Sequence, residues 1–309
     1  MRAPTAPSLL SLCALALSAC TASESSATTP EPSQPNQDLV AARPISEAEA
    51  THHTPPKQPE KLSAEDLVQV ELGRVDDASR EALAKRLGPE SPLAKAEALL
   101  AVHYSIADHW HIYWTNPGES GLRTRIAIEA KGAEAAEVVY PAPERLVAQG
   151  GQVTYGWGES AVLFVPLQSL GESPELTLTT RYLVCRESCI PGKLELEAKL
   201  DELPTRDDPA TQAMLARVPE PAGQRVGANW ADGRLVVRPT GETEAELVQF
   251  FPYASDAAVL GAQEHEASNL VLHYRFTQPP PAELAQGVLE ARVAGEPVWL
   301  ELATAWPRT

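Results

Sequence analysis

Four cysteines occur in the 309-residue chain, and only two are placed to do chemistry in a folded protein. Cys13 lies in the apolar part of an N-terminal export signal, and Cys20 closes Leu17-Ser-Ala-Cys20, which reads as a bacterial lipoprotein cleavage and acylation site. The remaining pair, Cys185 and Cys189, sits in Tyr182-Leu-Val-Cys-Arg-Glu-Ser-Cys-Ile-Pro-Gly192. A CxxxC pair in an exported protein faces an oxidising compartment, where it can cycle between dithiol and disulfide.

Three chemistries compete for that pair. In the chain-entropy model a bridge closing about five residues contributes only about 2 kcal/mol, a weak staple for a chain long enough to build real cores. An exposed bridge, by contrast, is open to attack by an external thiolate. The third option is metal: His103, His109 and His111 precede a Tyr113-Trp-Thr-Asn-Pro117 turn and, with two thiolates, would suit Cu(I) or Zn(II). Packed, hydrogen-bonded histidines are the preferred reading of those three. Arg186 and Lys193 favour a thiolate and Glu187 opposes it, so the local charges do not set reactivity. Trp110, Tyr113, Trp114, Tyr155 and Trp157 read as core and turn packing, with one or two available to shield the cysteines.

Strand parity gives the expected direction of the thiols. Thr177, Thr179, Arg181 and Cys185 share one face of their strand, opposite Leu176, Leu178, Tyr182 and Val184. Cys189 keeps parity with Lys193, Glu195 and Glu197, opposite Leu194, Leu196, Ala198 and Leu200. Both thiols are therefore expected on the polar, accessible side of a hairpin, unless a bulge reverses one.

The elements that must hold this hairpin are strands. Short alternating or β-rich runs recur at Leu67–Leu72, Ala98–Tyr104, Thr124–Ile128, Ala161–Val165, Leu176–Tyr182 and Lys193–Ala198, and again at Arg234–Arg238, Ala245–Phe251, Leu270–Phe276, Gly287–Val293 and Val298–Ala303. Gly, Pro and Asn turns separate them. The pattern predicts an all-β protein of two antiparallel β-sandwich domains, 62–205 with the cysteine pair and a smaller one at 225–309. One helix is expected over Ala78–Leu87, capped by Asp76-Asp77 and stopped at Gly88-Pro89. A second is expected from Pro209 to about Arg217, in a linker over 206–224.

Ahead of the sandwiches, Arg2, the apolar run Leu9–Leu17 and the small residues before Cys20 mark residues 1–19 as a lipoprotein signal peptide, too short to span a bilayer. Cys20 is the expected lipidation site. Residues 20–61 are Ser, Thr, Pro, Glu, Gln and Ala, the composition of a disordered tether with a reach of about 35 Å. His52-His53 reads as two solvated side chains within it. No other stretch is apolar enough to cross a membrane, and a formal net charge of −17 argues against nucleic acid and against nonspecific attraction to anionic lipid.

Four fragments, in order, carry a resemblance: Trp110-His-Ile-Tyr-Trp-Thr-Asn-Pro-Gly-Glu-Ser-Gly121, Tyr140-Pro-Ala-Pro-Glu-Arg145, Thr154-Tyr-Gly156 and Leu183-Val-Cys-Arg-Glu-Ser-Cys-Ile-Pro191. Together they resemble the N-terminal periplasmic region of the DsbD/ScsB protein-disulfide reductases. Phe250-Phe-Pro-Tyr253 is similar to a motif in the second sandwich of ScsB-like members, so the resemblance spans about residues 62–309. It implies immunoglobulin-like β-sandwich domains and a redox-active pair that takes electrons from a membrane-embedded donor and passes them to periplasmic thioredoxin-fold partners, with no cofactor. By the same resemblance Cys189 forms the mixed disulfide and Cys185 resolves it. Members of the family usually continue into a transmembrane domain and a thioredoxin-like domain, whereas this sequence stops at Thr309, which implies separate donor and acceptor proteins and a lipid anchor in place of the covalent membrane link. The alternatives are a binding or assembly module with a structural disulfide, and a copper-binding protein.

Overall fold

The computed structural model describes residues 62–147, 150–240, 245–277 and 284–307. The expected signal peptide, Cys13, the lipidation site Cys20, the tether and His52-His53 lie outside the described residues. Gln58–Thr309 form one compact unit. Its strands are β1 (Val68–Val75), β2 (Ala98–Ile106), β3 (His111–Gly118), β4 (Arg125–Lys131), β5 (Glu134–Ala135), β6 (Glu144–Val147), β7 (Val153–Gly158), β8 (Ser160–Gln168), β9 (Glu175–Cys185), β10 (Cys189–Lys199) and β11 (Thr205–Arg206). They are followed by β12 (Glu220–Pro221), β13 (Val226–Ala231), β14 (Arg234–Pro239), β15 (Ala245–Pro252), β16 (Ala258–Glu266), β17 (Asn269–Phe276), β18 (Leu284–Val293) and β19 (Glu296–Ala305).

These strands make two immunoglobulin-like sandwiches; the alternation predicts the sandwiches and the resemblance their immunoglobulin-like form. In the first, a sheet ordered β11-β1-β2-β8-β5 packs on a sheet ordered β10-β9-β3-β7-β6, with β4 alongside β9. In the second, β12-β19-β18-β15 packs on β13-β14-β17-β16. The structure adds strands that the patterning did not reveal: β3 and β7, whose sequences are broken by Asn-Pro-Gly and by glycines, β13 and β16, and the short β5, β6, β11 and β12.

Helix α1 (Ala64–Leu67) opens the described chain behind a capping box between Ser63 and Asp66. Helix α2 (Asp77–Leu87) starts where Asp76 accepts from the Ser79 amide and ends at Gly88, whose φ of 82° suits a residue without Cβ. Helix α3 (Pro209–Ala216) is capped by Asp208. Helix α2 packs against β2 and α3 against β8, which explains why these two central strands are nearly continuously buried rather than alternating.

The core of the first sandwich is bolted across its two sheets by one polar contact. Tyr104 of β2 and Thr180 of β9 are both buried, with Tyr104 Oη 2.7 Å from Thr180 Oγ1. Tyr182, two residues along β9 on the same face, meets the Tyr104 ring edge-on at 6.2 Å. Gly192, opposite Tyr182 in β10, leaves room for that ring, since a Cβ there would overlap it. This positions the hairpin of β9 and β10 from beneath.

The two sandwiches share an aromatic seam. Trp114 of β3 stacks on Tyr253 at 5.3 Å and meets Phe251 edge-on at 6.5 Å, while Tyr155 of β7 meets Phe251 edge-on at 5.6 Å. Asn116 Nδ2 donates to the Pro252 carbonyl at 2.8 Å. The fragment Phe250-Phe-Pro-Tyr253 is thus the second sandwich's side of the joint. Arg217 fastens the other end, donating from Nε to the Ala142 carbonyl at 2.8 Å and lying 5.5 Å from the Trp299 ring.

A buried hydroxyl left without its partner carries its full desolvation cost. Tyr104→Phe is therefore expected to lower stability by about 1–3 kcal/mol, and Tyr104→Phe with Thr180→Val to recover part of that loss. Urea unfolding of the three forms checks it; equal midpoints for wild type and Tyr104→Phe would show that the bond contributes nothing.

Candidate functional site

Cys185 ends β9, Cys189 begins β10, and the two are the first paired residues of the hairpin, with a Cα–Cα distance of 4.2 Å and a disulfide between them. Three exposed residues, Arg186, Glu187 and Ser188, form the loop, closed by a bond from the Arg186 amide to the Ser188 carbonyl at 3.2 Å. The two cysteines differ sharply in exposure. Cys189 is exposed, as its parity with Lys193 and Glu195 predicts. Cys185 is 2 % exposed, which corrects the expectation that both face solvent.

The cause is β3, which pairs beside the end of β9 in the same sheet. His111 stands directly opposite Cys185, beyond the point where β4 has stopped pairing with that strand. A residue directly opposite another in an antiparallel pair has its side chain on the same face, about 5 Å away, so His111 covers the face that local parity leaves open. Strand alternation divides the Trp110–Trp114 motif: Ile112 and Trp114 enter the core, while His111 and Tyr113 lie on the side of the cysteines.

Tyr113 is the shield. Its hydroxyl lies 4.0 Å from Cys189 Sγ, and its ring meets that of His111 edge-on at 5.0 Å. Burial raises the phenol's pKa, so it remains an O–H donor facing sulfur. The segment Asn116-Pro-Gly-Glu-Ser-Gly121 exists to hold that ring. Asn116 Oδ1 accepts from the Gly118 amide at 3.0 Å, and Glu119 accepts from the Val153 amide at 2.7 Å. Gly121, with φ of 100°, lies so close that a Cβ would overlap the Tyr113 ring. Tyr140-Pro-Ala-Pro-Glu-Arg145 supports the same region, with Tyr140 Oη donating to the Thr124 carbonyl at 3.1 Å and the Ala142 carbonyl accepting from Trp157 Nε1 at 3.3 Å.

The three histidines are not brought together. His103 sits in the other sheet, opposite Glu71 and Val162, with Nε2 3.3 Å from Thr211 Oγ1. His109 is an exposed turn residue with φ of 67°. Only His111 reaches the pair, and its Nε2 is buried without a hydrogen-bond partner. No group of three or more His, Cys, Asp or Glu side chains arranged to hold a metal ion occurs among the described residues. Arg186 lies over Trp110, 5.6 Å from the ring centre. Beside them a cavity of about 820 Å³ opens next to Cys189, lined by Leu62, Glu65, Trp110, Ser188 and Lys193 among others.

This arrangement suits asymmetric sulfur chemistry. One sulfur belongs to an exposed residue at the hairpin's start, where an external thiolate can approach. The other belongs to a buried residue beside an imidazole. Burial holds the pKa of His111 below its ordinary value, and it does the same for His103, where Arg206 adds to the effect.

Two outcomes are expected. Tyr113→Ala should uncover Cys189 and speed reduction of the disulfide by dithiothreitol by about tenfold, about 1.4 kcal/mol of barrier; stopped-flow reduction kinetics test it, and an unchanged rate would mean that the ring does not guard the sulfur. The histidines predict a pH dependence. Both are lowered in the folded protein, so the unfolded state binds more protons below its pKa of about 6.5. The stability they contribute is fully present above that value and shrinks as pH falls through it toward the folded pKa. The unfolding midpoint should therefore drop on acidification below pH about 6.5, less so in a His103→Gln, His111→Gln variant.

Residues 85–201 match the family model described as thiol:disulfide interchange protein DsbD, N-terminal. Among solved structures, the N-terminal periplasmic domain of ScsB from Proteus mirabilis aligns over 80% of this chain and 97% of that one, with a TM-score of 0.57 at 16% identity, a likeness of fold. The DsbD N-terminal domain of Neisseria meningitidis in its reduced form aligns over 44% of this chain and 88% of that one at 18% identity, with a TM-score of 0.28. No curated protein matches the chain.

Proposed function

We propose that the chain, whose residues 85–201 match the DsbD N-terminal family model, is a periplasmic thiol–disulfide exchange protein whose working centre is Cys185 and Cys189. The observation that carries this reading is the asymmetry of the disulfide: an exposed Cys189 beside the Tyr113 hydroxyl, joined to a buried Cys185. A bridge that served only as a staple would have no need of that difference.

In the direction that loads the chain, a donor thiolate attacks Cys189 Sγ and forms a mixed disulfide. The electron pair of the broken S–S bond leaves on Cys185 Sγ, where burial disfavours a bare thiolate and favours uptake of a proton. The donor's second thiolate then attacks its own sulfur in the mixed disulfide and releases Cys189, leaving both cysteines reduced. In the direction that unloads it, the Cys189 thiolate attacks an acceptor disulfide, and Cys185 resolves the adduct by attacking Cys189 Sγ. Two electrons move in each half-cycle and no cofactor takes part. The exchange partners are a membrane-embedded donor and thioredoxin-fold acceptors, and the chain is held at the membrane by lipid on Cys20 and a tether over 20–61. No helix among the described residues is long and apolar enough to cross a membrane.

The test is covalent trapping. With Cys185→Ser, Cys189 attacks but nothing internal resolves the product, so a reductant-sensitive complex should accumulate in intact cells and be visible by non-reducing electrophoresis. Cys189→Ser should accumulate far less. The domain should stay folded, since the lost bridge contributes only about 2 kcal/mol. If neither variant forms an adduct while both lose stability, the bridge is structural and exchange is refuted.

A further inference from the structure

The register of the hairpin arranges its outer face in rows. Moving away from the reactive pair on the cysteines' own face, Cys185 stands opposite Cys189 and Leu183 opposite Pro191; Arg181 then stands opposite Lys193 on one side and Arg125 on the other. Positions two and four residues along a strand share a face, so the order is disulfide, apolar pair, then three cations abreast. At about 3.3 Å per residue the cations lie about 13 Å from the cysteines, and with strands about 4.8 Å apart they form a row about 10 Å wide.

All three are exposed. Among the described residues none is within salt-bridge distance of a carboxylate. Like charges directly opposite one another destabilise a sheet. The far end of the same face shows the usual solution: Lys199, Glu175 and Lys131 form a row of alternating sign, with Lys131 Nζ 3.6 Å from Glu175. Between the two rows lie Glu195, then Glu197 and Glu129, all acidic and farther from the cysteines than the cations are. Around the disulfide itself Arg186 adds a further positive charge and Glu187 a negative one. A chain of net charge −17 has carboxylates to spare, yet it sets three unneutralised cations side by side next to its reactive sulfurs.

We propose that Arg125, Arg181 and Lys193 are a docking strip for an acidic surface flanking the redox cysteine of a protein partner, with Leu183 and Pro191 as the apolar ground between strip and disulfide. The inference rests on the exchange reading and specifies the chemistry of the partner. Opposite charge speeds encounter and fixes orientation, so that the partner's sulfur arrives over Cys189 while its acidic segment lies along β10, β9 and β4.

The probes are two synthetic peptides, each with one cysteine separated by four residues from a run of three Glu or three Lys. The oxidised full chain is mixed with each, and mixed-disulfide formation is followed by mass, with rates corrected for thiolate fraction and expressed relative to dithiothreitol for the same protein form. At low ionic strength the Glu peptide is expected to react about tenfold faster than the Lys peptide, and the gap should close as salt shortens the Debye length to about 10 Å and below. In Arg125→Gln, Arg181→Gln, Lys193→Gln the preference should vanish, and in the corresponding triple Glu variant it should invert. Equal rates with wild type, or a preference that survives the Gln substitutions, would overturn the strip. Failure of the disulfide to react with dithiothreitol and both peptides would instead overturn the exchange reading beneath it. Vesicles containing phosphatidylglycerol form the second arm, with Cys20→Ala in every form so that no acyl chain contributes. Retention on them that requires the three cations, without any peptide preference, would assign the strip to lipid and refute the protein partner.

Discussion

Strand β3 is the constraint on which the site depends. Its period of two sends Ile112 and Trp114 into the protein and leaves His111 and Tyr113 over the cysteines. Trp114 is fixed by Phe251 and Tyr253, residues of the second sandwich, so the joint between sandwiches and the cover on the disulfide are two faces of one short strand. A rotation of β3 that released Tyr113 from Cys189 would also have to move Trp114 within a packed seam, and packed interiors resist such shifts. The second sandwich carries no cysteine, yet its aromatic residues brace the element that guards the reactive pair.

That bracing bears on how the pair can be both protected and reactive. The Tyr113 ring is the part that a rotamer change could displace without moving the strand, although it is buried and packed between His111 and Gly121. A side chain changes rotamer far more readily than a strand changes register. The buried Cys185 gains from this as well: while Tyr113 and His111 stay in place, water has little access to its sulfur, and reduction is steered to Cys189.

Much of this was legible in the sequence where the determinants are local. The alternation of β9 and β10 predicts the hairpin, and Asp76 and Asp208 announce the two longer helices through their caps. The order of motifs around Trp110, Tyr140, Thr154 and Leu183 points to the family. What escaped was non-local. Strand β3 carries Asn116-Pro117-Gly118 and reads as a turn; it becomes a strand because β7 supplies a partner and Trp114 a buried anchor. The burial of Cys185 has the same origin, since its cover comes from a residue 74 positions earlier that parity within β9 has no means of sensing. The edge strand β16 is mostly polar and exposed, and only its pairing with β17 defines it.

The charge pattern completes the physical picture because it separates two demands on one sheet face. A net charge of −17 keeps the chain apart from its own copies and from anionic surfaces, and composition alone says nothing finer than that. Register says more. Where β10, β9 and β4 run side by side, the row far from the disulfide alternates in sign and the row near it does not. Folding stability favours the alternating arrangement everywhere on an exposed face. The exception falls on the row nearest the reactive sulfurs, separated from them by a single apolar pair, and the departure is therefore best explained by what must approach Cys189 rather than by what holds the sandwich together.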